Sequence, residues 1–143
     1  MNKSFIEVPL LIVGRLFLSA IFLWSGVGKV MDFSGTQSYM ESKGMPLVTL
    51  FLLGAIAFEI LGGLSVLLGF KARWGALLLV SFLIPTTLLF HSFWAVEEAR
   101  QSVETIQFMK NTAILGGLLL MVSTGAEKIS IDALLKRRKT TLK

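Results

Sequence analysis

Four apolar stretches, at about 5–30, 47–70, 74–94 and 106–124, occupy most of this 143-residue chain. Each is near the ~20 residues with which an α-helix crosses about 30 Å of hydrocarbon. In lipid every backbone amide and carbonyl must be paired inside the chain, so runs of this length have essentially one solution, a spanning helix. The polar connections leave little sequence for a soluble domain. The chain therefore reads as all-α: one integral membrane domain over 1–143, a four-helix transmembrane bundle with a cytoplasmic tail over 125–143. The 54% share of hydrophobic residues and a mean hydropathy of +0.74 lie outside the soluble range.

The first stretch follows Lys3 and resembles a signal peptide superficially. It is longer than the about 7–15 residues of a signal h-region, carries Arg15 inside it and lacks a small-x-small cleavage site, so it reads as a retained span. The formal charge of +5 does not mark a nucleic-acid binder, because of where the charges fall. Lys3, Lys71, Arg73, Lys128, Lys136, Arg137, Arg138, Lys139 and Lys143 lie at the N-terminus, in the second loop and on the tail, which four spans place on one side. The opposite loops hold Lys43 and Arg100, with Lys29 and Lys110 at span edges. This is the positive-inside pattern, and it predicts both termini in the cytoplasm.

Cysteine is absent and histidine occurs once. That removes thiol–disulfide exchange, cysteine-ligated clusters and thiolate zinc, as well as bis-histidine haem within one chain. No metal site and no intrinsic cofactor are expected. Any electron carrier must come from elsewhere.

The first outer loop, 31–45, predicts a short interfacial helix. Asp32 or Ser34 would cap it and Gly44 would stop it, with Pro46 opening the next span. Phe33, Tyr39 and Met40 would give it an apolar side for the membrane interface. The tight turn at 71–73 makes spans two and three antiparallel neighbours. Pro85 should kink span three, with Ser81, Thr86 and Thr87 near the freed carbonyl. Glu97, Glu98 and Glu104 fall in the second outer loop, 95–105. In the tail, Ser130 would cap a short basic amphipathic helix with Asp132 in its first turn and Ile131, Leu134 and Leu135 toward lipid. The string Ile-Leu-Gly-Gly-Leu recurs at 60–64 and 114–118. It marks either a parallel duplication of two hairpins or close helix packing alone.

Two charges sit within the apolar runs. A charge at bilayer depth costs about 2.5–3.5 kcal/mol on insertion scales, so each needs a partner or a function. Arg15 lies about ten residues, ~15 Å, into span one, and Glu59 about ten residues before the end of the antiparallel span two. Equal depth predicts an Arg15–Glu59 ion pair, either a proton-handling site or a pin between helices. Toward the outer side Lys29, His91, Lys110 and Asn111 reach a common level. If they point inward they form a cationic mouth, with Trp24 and Trp94 lining it or acting as belt residues. Lys29 and Lys110 have the alternative of snorkelling to the surface. His91 has three open roles: bonding a ligand carbonyl, shuttling a proton, or capping polar groups. A cavity of this kind suits a quinone headgroup, whose carbonyls take donors while a carboxylate handles protons. It equally suits a path for a small anion or polar solute.

At these residues the sequence resembles the DoxX family of small four-helix membrane proteins, including its YphA-like bacterial inner-membrane members. The resemblance runs through Arg15, Phe22-Leu-Trp-Ser-Gly26 and Gly28-Lys29, then Phe33-Ser-Gly-Thr and Tyr39-Met. It continues with Glu59-x-x-Gly62-Gly63, His91-Ser-Phe-Trp94, Phe108-x-Lys110-Asn111 and Gly116-Gly117. It covers about 13–132 and implies a four-helix bundle in the bacterial cytoplasmic membrane. Some relatives are attached to thiosulfate:quinone oxidoreductase or terminal quinol oxidase complexes, and others are linked to oxidative stress or to quinone and catechol resistance. The leading expectation is a membrane subunit that binds a quinone or similar small ligand within the bundle and acts with a soluble or membrane redox partner. If it is an enzyme, it would be a subunit of a quinone-linked oxidoreductase. The rival readings are a non-enzymatic scaffold or assembly protein and a small-solute or proton transporter. A homo-oligomer fits each, because four helices enclose little volume.

Overall fold

The computed structural model describes residues 3–126 and 129–141. In chain order the helices are α1 (Lys3–Met31), α2 (Phe33–Ser42), α3 (Val48–Leu68), α4 (Ala72–Phe90), α5 (Glu98–Thr124) and α6 (Ile131–Thr141), with a short 3₁₀ turn at Phe93–Ala95. No strand occurs among the described residues. Four segments, Ile6–Met31, Val48–Leu68, Ala72–Ala95 and Glu98–Thr124, are long and apolar enough to cross a membrane. Of the basic residues expected at the end carrying the termini, Lys128 and Lys143 lie outside the described residues, as do the side chains of Lys3, Arg137 and Lys139.

The spanning helices pack in the order α1–α3–α4–α5, and α1 meets α5 only narrowly. The Gly62-Gly63 pair explains how α3 approaches two neighbours at once. A Cβ on Gly62 would stand 2.7 Å from Leu79 of α4, and one on Gly63 would stand 2.8 Å from Leu23 of α1. Successive helical positions point about 100° apart, so two small residues in a row open two faces. Their echo at Gly116-Gly117 does not repeat this geometry. Gly116 faces open space, and Gly117 makes only ordinary contact with Leu18.

Two apolar cores result. Phe22, Val66, Ala76, Leu79, Val80, Leu83 and Leu118 fill the half of the bundle nearer the termini. Met40, Val48 and Leu52 join α2 to the start of α3 at the opposite end. The helix expected in the first outer loop is present. Asp32 Oδ1 accepts from Gly35 N–H at 3.1 Å, and Gly44 leaves the helix end at φ 74°.

Two expectations are corrected. Segment 98–105, read as loop, forms the first two turns of α5, with Glu98 favourably placed in the first turn. Its acidic residues suggested a loop, but helical spacing lets Arg100 and Glu104 pair. In α4 the hydroxyls near Pro85 do not serve the freed carbonyl. Ser81, Thr86 and Thr87 donate instead to Leu78, Phe82 and Leu83. The short helix expected in the tail is present as α6. Ser130 caps α6 through Ala133 N–H at 3.1 Å, as expected, but Asp132 also bolts it to the α3–α4 turn. Asp132 N–H donates to the Gly69 carbonyl at 3.1 Å, and its Oδ1 accepts from Lys71 N–H at 3.0 Å.

Candidate functional site: a cavity with a charged wall

The expected Arg15–Glu59 pair does not form. Gly26 of α1 lies against Glu59 and Ile60 of α3, and Leu23 lies against Gly63, which fixes the register of the two helices. Arg15 is eleven residues back from Gly26, about 16 Å of helix rise, so it falls level with the turn after α3 rather than with Glu59. Counting depth from the start of the apolar run misled, because the first turns of α1 extend past that turn.

Arg15 is 7% exposed and its Nη2 donates to the Ile129 carbonyl at 2.8 Å. Ile129 holds φ 43°, a left-handed conformation that a β-branched residue adopts only under constraint. The guanidinium thus holds a strained corner of the connector into α6. Its Nε and Nη1 are buried without a hydrogen-bond partner among the described residues.

Glu59, 2% exposed, finds its partner in Lys29. Lys29 Nζ lies 3.0 Å from Oε1 and 2.8 Å from Oε2, and donates to Ser25 Oγ at 2.6 Å. Each step of this follows from local structure. Ser25 and Lys29 share a helix face at i,i+4, and Gly26 between them lets α3 come close enough for the ammonium to reach across. A buried charge without a partner is costly, and this counter-charge offsets that cost.

The pair forms part of the wall of a cavity of about 620 Å³ lined from α1, α2, α3, α4 and α5. Most of the lining is apolar: Phe22, Phe51, Phe58, Phe82, Leu83, Phe90 and Ile114, with Met40 and Met45 from the α2 side. Among the polar groups are Ser25, Lys29, Thr36, Tyr39, Glu59, Thr86, His91 and Asn111. Tyr39 of α2 stacks on Phe90 at 5.8 Å between ring centres, which ties α2 over the end of α4. Burial, and after it the charge of Glu104, holds the Tyr39 phenol above its ordinary pKa, with Arg100 opposing.

The remaining expected site residues divide. His91 lines the cavity, and its Nδ1 lies 2.9 Å from Glu104 Oε2. Asn111 lines it too, with Nδ2 donating to Thr87 Oγ1 at 3.0 Å. Lys110 is exposed and away from the lining. Trp24 is 85% exposed, while Trp94 packs edge-on against Phe93 and Phe108 outside the cavity. Glu104, Arg100, Ser25 and Tyr39 were not read as site residues. The i,i+4 spacing of Arg100 with Glu104 and of Ser25 with Lys29 was the available signal.

Residues 10–92 match the DoxX family profile. The chain belongs to the DoxX family. It is 40% identical over 127 residues to the inner membrane protein YqjF of Escherichia coli, covering 89% of this chain and 92% of that one. It is 33% identical over 123 residues to the E. coli inner membrane protein YphA, covering 86% and 88%. A more distant likeness, 25% identity over 123 residues, links it to the yeast ER-derived vesicles protein ERV29, of which it covers 33%. No solved structure matches the chain. The DoxX profile thus takes in α2, the Lys29–Glu59 pair and His91, but stops before α5 and its Glu104.

Proposed function

We propose that this DoxX protein is a membrane subunit that binds a quinone or similar small aromatic ligand in the cavity and acts with a redox partner. The observation that carries the reading is the cavity itself, with a neutralised charge pair in a mostly apolar wall. Its volume of about 620 Å³ falls within the ~300–1,000 Å³ of small-molecule sites, which share this mixture of apolar lining and few polar groups. Lys29 and Glu59 cancel, so the wall favours a neutral ligand with polar oxygens over a free acid. A ring carbonyl would accept from Lys29 while its apolar substituents lie among the phenylalanines. The Arg15–Glu59 pin that would have favoured a pure scaffold is not formed.

Two E. coli relatives are inner membrane proteins, and the basic residues gather toward one end, which supports a bacterial inner-membrane setting with both termini cytoplasmic. There α2 and α6 would lie at opposite interfaces. The direct test is titration of a short-chain benzoquinone into the purified protein in nanodiscs. Binding weakened at least tenfold in a Glu59→Gln variant that remains folded supports the reading. Equal affinity in the two proteins overturns it.

A further inference from the structure

Glu104 is buried on the second turn of α5, and both its oxygens are taken. Arg100 Nη2 donates to Oε1 at 2.9 Å, and His91 Nδ1 lies 2.9 Å from Oε2. A carboxylate held by a guanidinium only accepts hydrogen bonds, so the proton between Glu104 and His91 sits on Nδ1. An imidazole that donates from Nδ1 in this way offers Nε2 as an acceptor, and no partner for Nε2 exists among the described residues.

His91 itself lines the cavity, whereas Glu104 and Arg100 do not. The dyad therefore lies with its carboxylate behind the ring and its free nitrogen as the remaining polar atom to offer a ligand. Across the same cavity Lys29 is a donor. Ser25 and Glu59 Oε1 take two of its three ammonium protons, leaving the third for a ligand oxygen, while Glu59 Oε2 lies 2.8 Å from Nζ without a hydrogen bond among the described residues. Acceptor and donor thus line one apolar space. A ligand offering only carbonyl or ether oxygens satisfies Lys29 but sets a lone pair against Nε2, whereas a phenolic hydroxyl satisfies either group.

We propose that the His91–Glu104–Arg100 group makes this cavity selective for an aromatic ligand with a free hydroxyl, a phenol, over the carbonyl or ether counterpart lacking that hydrogen. The ligand O–H donates to His91 Nε2. Glu104 and Arg100 are positioning residues that fix the tautomer and the ring. The inference rests on the cavity being a ligand site and adds the chemical class it selects.

The test uses 4-heptylphenol and its methyl ether, 4-heptylanisole, which have the same tail and no redox chemistry. Each is titrated into nanodiscs holding the full chain and into empty nanodiscs, alongside the short-chain benzoquinone. The wild type is expected to bind the phenol at least about tenfold more tightly than the ether, because the ether leaves the acceptor it covers unpaired. His91→Leu should erase that preference by bringing the phenol's affinity down toward that of the ether. Glu104→Gln should reduce it, since an amide accepts from Nδ1–H or donates to Nδ1 and frees the tautomer. Arg100→Gln, at a half-exposed residue, serves where Glu104→Gln does not fold. Variants that weaken both probes equally would show a purely structural role and overturn the proposal. Equal wild-type affinity for the two probes with benzoquinone still bound overturns the selectivity and leaves the cavity reading standing. Failure of all three compounds to bind overturns both.

Discussion

At the end of the bundle that carries the termini, Arg15 is buried against backbone, donating to the Ile129 carbonyl where Gly69, Ser130 and Ala126 close around it. At the other end Lys29 and Glu59 bind each other in the wall of a cavity. Both ends hold charge among apolar side chains, yet only one leaves room beside it. The first core is closed by glycines that bring α3 onto α1 and α4. The second core, under α2, stops short and leaves the space open. The difference teaches that a charge in an apolar run is not by itself a site. What distinguishes the two charges is the volume next to them.

That contrast can be broken at either end. The largest effect is expected from Lys29→Met, which strands the Glu59 carboxylate. Removing one partner of a buried pair costs about 3–5 kcal/mol, readable as loss of stability in denaturant titration of the detergent-solubilised protein. Replacing both partners, as Lys29→Met with Glu59→Leu, should restore most of that stability, because a paired charge and an apolar pair are often equivalent in the folded state. If the single variant is as stable as the wild type, the pair is not the electrostatic unit the geometry describes.

Next comes the closed half. Gly62→Ile places a side chain where a Cβ alone would stand 2.7 Å from Leu79 and 3.1 Å from the Gly75 carbonyl. Overpacking of this kind costs about 1–3 kcal/mol or more, and a lowered thermal midpoint would register it. Gly116→Ile, facing open space, should leave the midpoint nearly unchanged. Equal losses at the two glycines would make the packing difference between the repeated strings meaningless.

A smaller effect belongs to Arg15→Met. It leaves the Ile129 carbonyl without its donor and costs about 1 kcal/mol. Limited trypsin digestion should cut α6 at Lys136 and Arg138 faster than in the wild type, while quinone affinity holds. Loss of binding with α6 still protected would move Arg15 from fastening to function. The smallest effects are expected at Trp24→Leu and Lys110→Gln, both exposed and off the cavity. Their stabilities should fall within about 0.5 kcal/mol of the wild type, with unaltered ligand titrations.

Much of the fold was legible because lipid allows so few solutions. Four long apolar runs give four helices, Asp32 and Ser130 cap where capping residues should, and the tight turn, at 69–71 rather than 71–73, forces α3 and α4 together. The cavity lining was legible by residue but not by partnership. Glu59, Lys29, His91 and Asn111 all reach the cavity. Pairing Glu59 with Arg15 failed because depth was counted from the ends of apolar runs, and α1 slides along α3 to a register set by Gly26 and Gly63. Glu104 was missed for a related reason. Its charged surroundings read as loop, although Arg100 one helical turn earlier and His91 across the gap neutralise the polarity that should have ended the helix.

The decisive measurement is benzoquinone titration of the Lys29→Met/Glu59→Leu protein in nanodiscs beside Arg15→Met and the wild type, with thermal midpoints recorded on the same samples. The expected result is a double variant that melts near the wild type and binds at least tenfold more weakly, while Arg15→Met keeps its affinity. A stable double variant with undiminished affinity would contradict the claim that the charged wall of the cavity is the functional end of this molecule.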